Sequence, residues 1–126
     1  MSVAILRQGD VLIASVQSDL SDSQVLALRD ELADRVGRLR ARGIVVDVAA
    51  LDVIDSFVAR SLRSIAITAR LRGADTVVVG IQPDVAIAMV QFDLNLQPLQ
   101  TALDLDEALV MLGQEQEQEQ EEEDGR

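Results

Sequence analysis

Apolar residues recur along this chain with two periods, and the switches between them mark out its elements. Val3 to Leu6 and Val11 to Val16 are short apolar runs on either side of Gln8-Gly9-Asp10. Two such runs around a tight turn predict strands paired antiparallel. Ser21-Asp22-Ser23-Gln24 then fits a capping box, with Ser21 at the N-cap and Gln24 at N3. Behind it Val25, Leu28, Leu32, Val36 and Leu39 fall at helical spacing, and Gly43 is expected to close that helix. Ile44 to Val48 is a continuous apolar strand with Asp47 as its only charge. The next helix is predicted over Ser56 to Arg72, with Val58, Leu62, Ile65, Ala66 and Ala69 as its buried stripe and Gly73 at C′. Thr76 to Val79 reads as a further buried strand. Gly80-Ile81-Gln82-Pro83 turns into a third helix with Pro83 near N1 and Val85, Met89 and Phe92 facing inward. Pro98 to Thr101 is expected to be a short edge strand. Asp104-Leu105-Asp106-Glu107 opens a last helix carrying Leu105, Ala108, Leu109 and Leu112.

Strand–helix–strand units imply right-handed crossovers and parallel neighbours. The expected fold is therefore α/β, a mixed sheet with an antiparallel N-terminal hairpin, a parallel remainder and packed helices. Its second, third and fourth strands would share one carboxyl edge, where open α/β sheets tend to place their sites. The loops Ser18 to Asp22, Ala49 to Ser56 and Gly80 to Asp84 gather there. The domain is expected to occupy residues 1–113. The Gln/Glu tract of residues 114–126 has no apolar residue to bury and is expected to be a solvated, disordered acidic tail.

Composition narrows the chemistry. The chain is 48% hydrophobic over 126 residues, but Phe57 and Phe92 are its only aromatic residues, so the core must be aliphatic. It contains no Cys, His, Lys, Trp or Tyr. That removes disulfides, thiolate nucleophiles, most zinc sites, the usual general base, and any P-loop or Schiff-base lysine. The tail supplies six of the net charge of −11, and what remains is still acidic, a poor match for nucleic acid or anionic membranes. No apolar run approaches the roughly 20 residues of a membrane span, and residues 1–10 lack a signal-peptide pattern. A cytoplasmic location and no cofactor are expected.

The predicted carboxyl edge carries Asp19, Asp22, Asp52, Asp55 and Asp84 with Ser56 among them. Ser56 is expected to serve as N-cap of the second helix, worth about 1 kcal/mol. It can also be a phosphoacceptor, since phosphate adds about −1.5 to −2 charges where a helix N-terminus partly accommodates them. A metal site built from Asp19, Asp22, Asp52 and Asp55 matches no metal-loop spacing, and these residues are equally explained as caps and turn formers. A hydrolase reading lacks a His or Lys to activate Ser56, and Asp52 with Asp55 could do acid/base work only if buried, which nothing in the sequence indicates. Catalytic and metal residues are therefore expected to be absent. Asp19, Asp22 and Asp55 are expected to form a docking surface. Phe57 reads either as a partner-facing anchor or as a side chain packed under the adjacent loop.

The segment Val46-Asp47-Val48-Ala49-Ala50-Leu51-Asp52-Val53-Ile54-Asp55-Ser56-Phe57-Val58-Ala59 resembles the STAS-domain family of bacterial anti-sigma-factor antagonists, a likeness that runs over roughly residues 3–113. There an apolar strand leads to an Asp-Ser or Asp-Thr phosphosite at a helix start. Phe57-Val58-Ala59 after the serine, with Gly80-Ile81-Gln82-Pro83-Asp84-Val85-Ala86 and Thr101-Ala102-Leu103-Asp104-Leu105, is similar to the RsbS-like stressosome scaffold branch. The resemblance implies a non-catalytic scaffold whose Ser56 is phosphorylated by a captive RsbT-like switch kinase, releasing it. It also implies a homo- or hetero-oligomer with larger RsbR-like STAS paralogues. The alternative within the family is a free antagonist that binds an anti-sigma-factor kinase as a monomer or dimer. The Gln/Glu tail is a departure from the pattern.

Overall fold

The computed structural model describes residues 3–97 and 99–113. Five strands run in the order β1 (Val3–Gln8), β2 (Val11–Val16), β3 (Gly43–Asp47), β4 (Asp75–Val79) and β5 (Gln100–Ala102), which is also their order across the sheet. β1 and β2 pair antiparallel around the Gly9 turn. β2, β3, β4 and β5 are parallel. Each parallel step crosses over through a helix: α1 (Asp22–Leu39), α2 (Ser56–Leu71) and α3 (Pro83–Gln91). Residues 105–113 form α4 after β5. This is the mixed sheet expected from the pattern.

The alternation of side chains along the strands sorts the core into two layers. Leu12, Ala14, Ile44, Val46 and Val78 point to the face covered by α1, α2 and α3. Val11, Ile13, Val45, Val77 and Val79 point to the opposite face, where Ala108 and Leu112 of α4 cover them. β3 and β4 are buried on both faces, which is why they read as unbroken apolar runs. Gly43 explains how α4 comes so close, because a Cβ there would lie 2.8 Å from a Leu112 methyl.

The capping box at Ser21 forms as expected, with Gln24 N–H donating to Ser21 Oγ at 3.3 Å and Ser21 N–H donating to Gln24 Oε1 at 2.9 Å. Three expectations need correction. Gly43 does not close α1. Arg40 does, in the left-handed region with φ 51°, and Gly43 opens β3. Phe92 is not on the inner face of α3. It caps that helix and is 75% exposed, while Val85 and Met89 are buried. The edge strand lies at Gln100–Ala102, and Pro98, expected to start it, is outside the described residues. The acidic tail of residues 114–126 also lies outside them.

Candidate functional site

The carboxyl edge is shaped by a turn at the end of β3. Asp47 Oδ1 accepts the Ala49 N–H at 2.9 Å, and the Leu51 N–H donates to Val48 O at 3.0 Å. Leu51 and Ile54 are buried and fix the loop to the core, whereas Val53 between them is 62% exposed. Gly80, at the end of β4, lies against this turn. Its φ is +81°, and a Cβ would sit 2.9 Å from the Ala49 Cβ and 3.0 Å from Asp47 Oδ1, so both backbone and space require glycine. The Gln82 amide donates to Ala49 O and ties the β4–α3 loop to the same turn.

The N-cap of α2 is Asp55, not Ser56. Asp55 has extended backbone (φ −85°, ψ −179°), and its Oδ1 accepts the Val58 N–H at 2.8 Å. The first helical bond, Ala59 N–H to Asp55 O, is 2.9 Å. A carboxylate makes a charge-assisted cap at the positive end of the helix dipole, which favours aspartate over the neighbouring serine. Ser56 is displaced to N1, exposed to solvent, and its hydroxyl makes no hydrogen bond among the described residues. The Ser61 hydroxyl one turn and a half later is different: it is buried and donates to Phe57 O at 2.8 Å.

Next to Ser56, residues of α1, α2 and the loops after β2 and β3 line a cleft of about 250 Å³. Its walls are apolar, among them Leu20, Leu51, Val53 and Val58, and the carboxylates of Asp19 and Asp55 stand on its lining. Asp19 and Asp55 are therefore brought together. Asp22 sits exposed in the first turn of α1 and does not line the cleft. Phe57 is half-buried and also stands outside it. Asp52 and Asp84 are exposed on the same edge. Among the described residues no three acids approach closely enough to hold a metal ion.

The cleft and Val53 were not singled out by sequence reasoning. Val53 sits in a mostly apolar loop beside the buried Leu51 and Ile54, so its exposure carried no signal in the sequence. Chemically, the edge offers an unbonded hydroxyl at a helix start, several carboxylates and an apolar recess. It can receive charge at Ser56 and an apolar side chain in the cleft.

Comparison with known proteins agrees with this architecture. The STAS domain family profile matches residues 2–108. The structure of Moorella thermoacetica RsbS carrying a serine-to-glutamate substitution superposes with a TM-score of 0.75 at 33% identity, covering 90% of this chain and 97% of that one. A chain from the structure described as the molecular architecture of the stressosome, a signal integration and transduction hub, gives a TM-score of 0.69 at 32% identity, covering 88% of this chain and 96% of that one. The RsbT co-antagonist protein RsbRA of Bacillus subtilis is 22% identical over 116 residues, and the match spans 42% of that longer protein.

Proposed function

Because this chain belongs to the STAS-domain family, we propose that it is a non-catalytic stressosome scaffold and phospho-switch. It sequesters a serine/threonine kinase of the RsbT type and releases it when Ser56 is phosphorylated. The observation that carries this reading is the state of the Ser56 hydroxyl: exposed, unbonded, and held at N1 of a 16-residue helix by a cap it does not itself supply. A kinase can take this oxygen without breaking a structural hydrogen bond. The serine Oγ attacks the γ-phosphorus of ATP, ADP leaves, and the proton passes to a base on the kinase.

The physical consequence is local. Phosphate brings about −1.5 to −2 charges and three acceptor oxygens. The N–H groups of Ser56 and Phe57 have no intrahelical acceptor at these positions, and together with the helix dipole they favour an anion there. Asp52 and Asp55 oppose it. The fold therefore tolerates the modification while the surface potential beside the cleft changes sharply, and a partner seated over Asp19, Asp55 and the apolar recess is repelled. In this reading Asp22 and Phe57 extend the docking surface along the starts of α1 and α2.

The likeness to RsbS and to the stressosome chain supports an oligomer with RsbR-like paralogues, and the RsbRA likeness supports an RsbT-like kinase as the partner. No helix among the described residues is long and apolar enough to cross a membrane. We place the assembly in the cytoplasm.

Incubation of the purified chain with its switch kinase and ATP, followed by peptide mass spectrometry, tests the proposal. Phosphate is expected on Ser56 and absent from Ser56→Ala, and kinase co-elution is expected to fall as phosphate accumulates. Phosphate persisting on the Ala variant, or undiminished kinase binding by the phosphorylated chain, would overturn it.

A further inference from the structure

The edge opposite the candidate site gathers arginines. It is formed where α1 and α2 end and β3 and β4 begin. Arg38 and Arg40 lie at the end of α1, Arg42 precedes β3, and Arg70 and Arg72 lie at the end of α2. Arg38 pairs with Asp34 at 2.9 Å and Arg70 with Asp75 at 2.6 Å. Arg40, Arg42 and Arg72 form no ion pair among the described residues and are exposed. They are also neighbours. The Arg72 guanidinium lies over Gly37 in the last turns of α1, three residues before Arg40. The backbone of Arg42 bridges two turns, its N–H donating to Asp10 O at 2.8 Å and its O accepting the Asp75 N–H at 3.0 Å. Among the described residues Asp10 is the one nearby acid outside an ion pair, so the described groups leave the edge positive in a chain that is acidic overall.

The course of the last helix brings the most acidic segment to this place. β5 runs parallel to β4 and so ends at the carboxyl edge, and α4 returns across the sheet to the start of β3. Leu112, near its end, packs on Gly43, the residue next to Arg42. The segment from Gln114 to Arg126 follows directly, with seven acids and one arginine.

We propose that the Arg40–Arg42–Arg72 edge is a docking surface for this chain's own acidic segment, Gln114 to Arg126. Three arguments favour this occupant over a separate partner. The segment starts beside the edge, and a chain spans at most about 3.3–3.6 Å per residue, so its length exceeds the helix-to-helix spacing of about 8–10 Å several-fold. The charges are complementary, and guanidinium groups take carboxylates in a bidentate geometry. The tether makes the encounter intramolecular, with an effective concentration in the millimolar range for a short link, which outcompetes an untethered acidic partner of equal chemistry. The segment has no apolar residue, so the contact is electrostatic and salt-sensitive.

The absence of cysteine allows one label at one place. A nitroxide on Gly125→Cys in the full chain is expected to broaden the amide resonances of Arg40, Arg42, Arg72 and Gly73 at low salt. The amides around Ser56, on the far edge, are expected to stay sharp. The broadening should vanish at about 1 M salt, where the Debye length is roughly 3 Å. It should also vanish in Arg40→Gln/Arg42→Gln/Arg72→Gln. A variant with the tail's glutamates replaced by glutamine leaves the domain untouched and should lose the effect as well. Broadening that is absent, that survives both charge removals, or that falls on the Ser56 edge overturns the proposal. A mixture of isotope-labelled chains without nitroxide and nitroxide-bearing chains without isotope reports the other occupant. Broadening there would assign the edge to a second copy, which also overturns it.

Discussion

At the scale of single residues, the division of labour between Asp55 and Ser56 decides what the site can do. If Ser56 capped α2, modifying it would cost the helix its first turn. Because Asp55 caps instead, removing either side chain has a separable effect. Ser56→Ala is expected to change stability by no more than about 0.5 kcal/mol, as for other exposed substitutions away from caps, while abolishing phosphorylation. Asp55→Ala is expected to cost about 1 kcal/mol through the lost cap. Asp55→Asn keeps a capping oxygen and removes only the charge. Denaturant unfolding of both Asp55 variants beside a kinase-binding titration separates the roles. If Asp55→Asn is stable yet binds the kinase more weakly, the carboxylate contributes to docking. If binding is unchanged, Asp55 is a cap alone. Gly80 is the second residue on which the edge depends. Gly80→Ala combines the strain of a left-handed backbone, roughly 1–2 kcal/mol, with contacts of 2.9 Å and 3.0 Å against Ala49 and Asp47. It is expected to lower stability by more than either effect alone and to displace the turn that carries Ser56, read as a lower melting temperature together with slower phosphorylation.

At the scale of elements, most boundaries were legible because they rest on local rules. The capping box at Ser21, the proline at the start of α3 and the apolar period of α1 and α2 each depend on side chains within a few residues of one another. What was not legible depended on competition or on tertiary contact. Asp55 and Ser56 are adjacent and both good caps, and the pattern does not say which wins until the path of the loop from Ile54 is known. Phe92 falls one helical turn after Met89 and so matched the inner face, but α3 ends at Gln91 and the chain turns away at Asp93, which adopts φ 54°. Arg40 ends α1 in the left-handed region without glycine, so the sequence pointed to the later Gly43. The cleft beside Ser56 was invisible because it lies between two helices whose spacing no local pattern encodes. Asp93 offers a direct check on this account of helix ends. The Leu94 N–H closes the turn onto Met89 O at 2.8 Å, so the left-handed conformation is retained by Gly without the Cβ penalty. Asp93→Gly is expected to raise stability by up to about 1 kcal/mol, and an unfolding midpoint that does not rise would show that the Asp side chain compensates locally.

At the scale of the whole molecule, the sheet keeps two groups of charge apart: Asp19, Asp52, Asp55 and Asp84 lie with Ser56 at its carboxyl edge, and Arg40, Arg42 and Arg72 at the other. It also separates two unequal layers. Among the described residues three helices cover one face, while α4 alone covers Val11, Ile13, Val45, Val77 and Val79 on the other. The two parts of the C-terminal region therefore have different energetic weight, and truncation distinguishes them. Ending the chain after residue 113 removes only the charged tract. Exposed ion pairs contribute about 0.2–1 kcal/mol each and are offset by the self-repulsion that the truncation relieves. Melting temperature and Ser56 phosphorylation are expected to change little, even though the salt-sensitive association with the arginine edge is lost. Ending the chain after residue 104 removes Ala108 and Leu112, which are 0% and 2% exposed, and uncovers a valine- and isoleucine-rich face. Leu112→Ala alone is expected to cost about 2–5 kcal/mol, the range for a buried leucine, so loss of the whole helix should leave an unfolded or aggregated chain. Thermal melting and gel filtration of the two truncations against Leu112→Ala decide the matter. A large drop on removing residues 114–126 would mean that the tract packs rather than merely pairs charges. A folded, monodisperse chain lacking α4 would mean that the second layer is covered by something other than this helix.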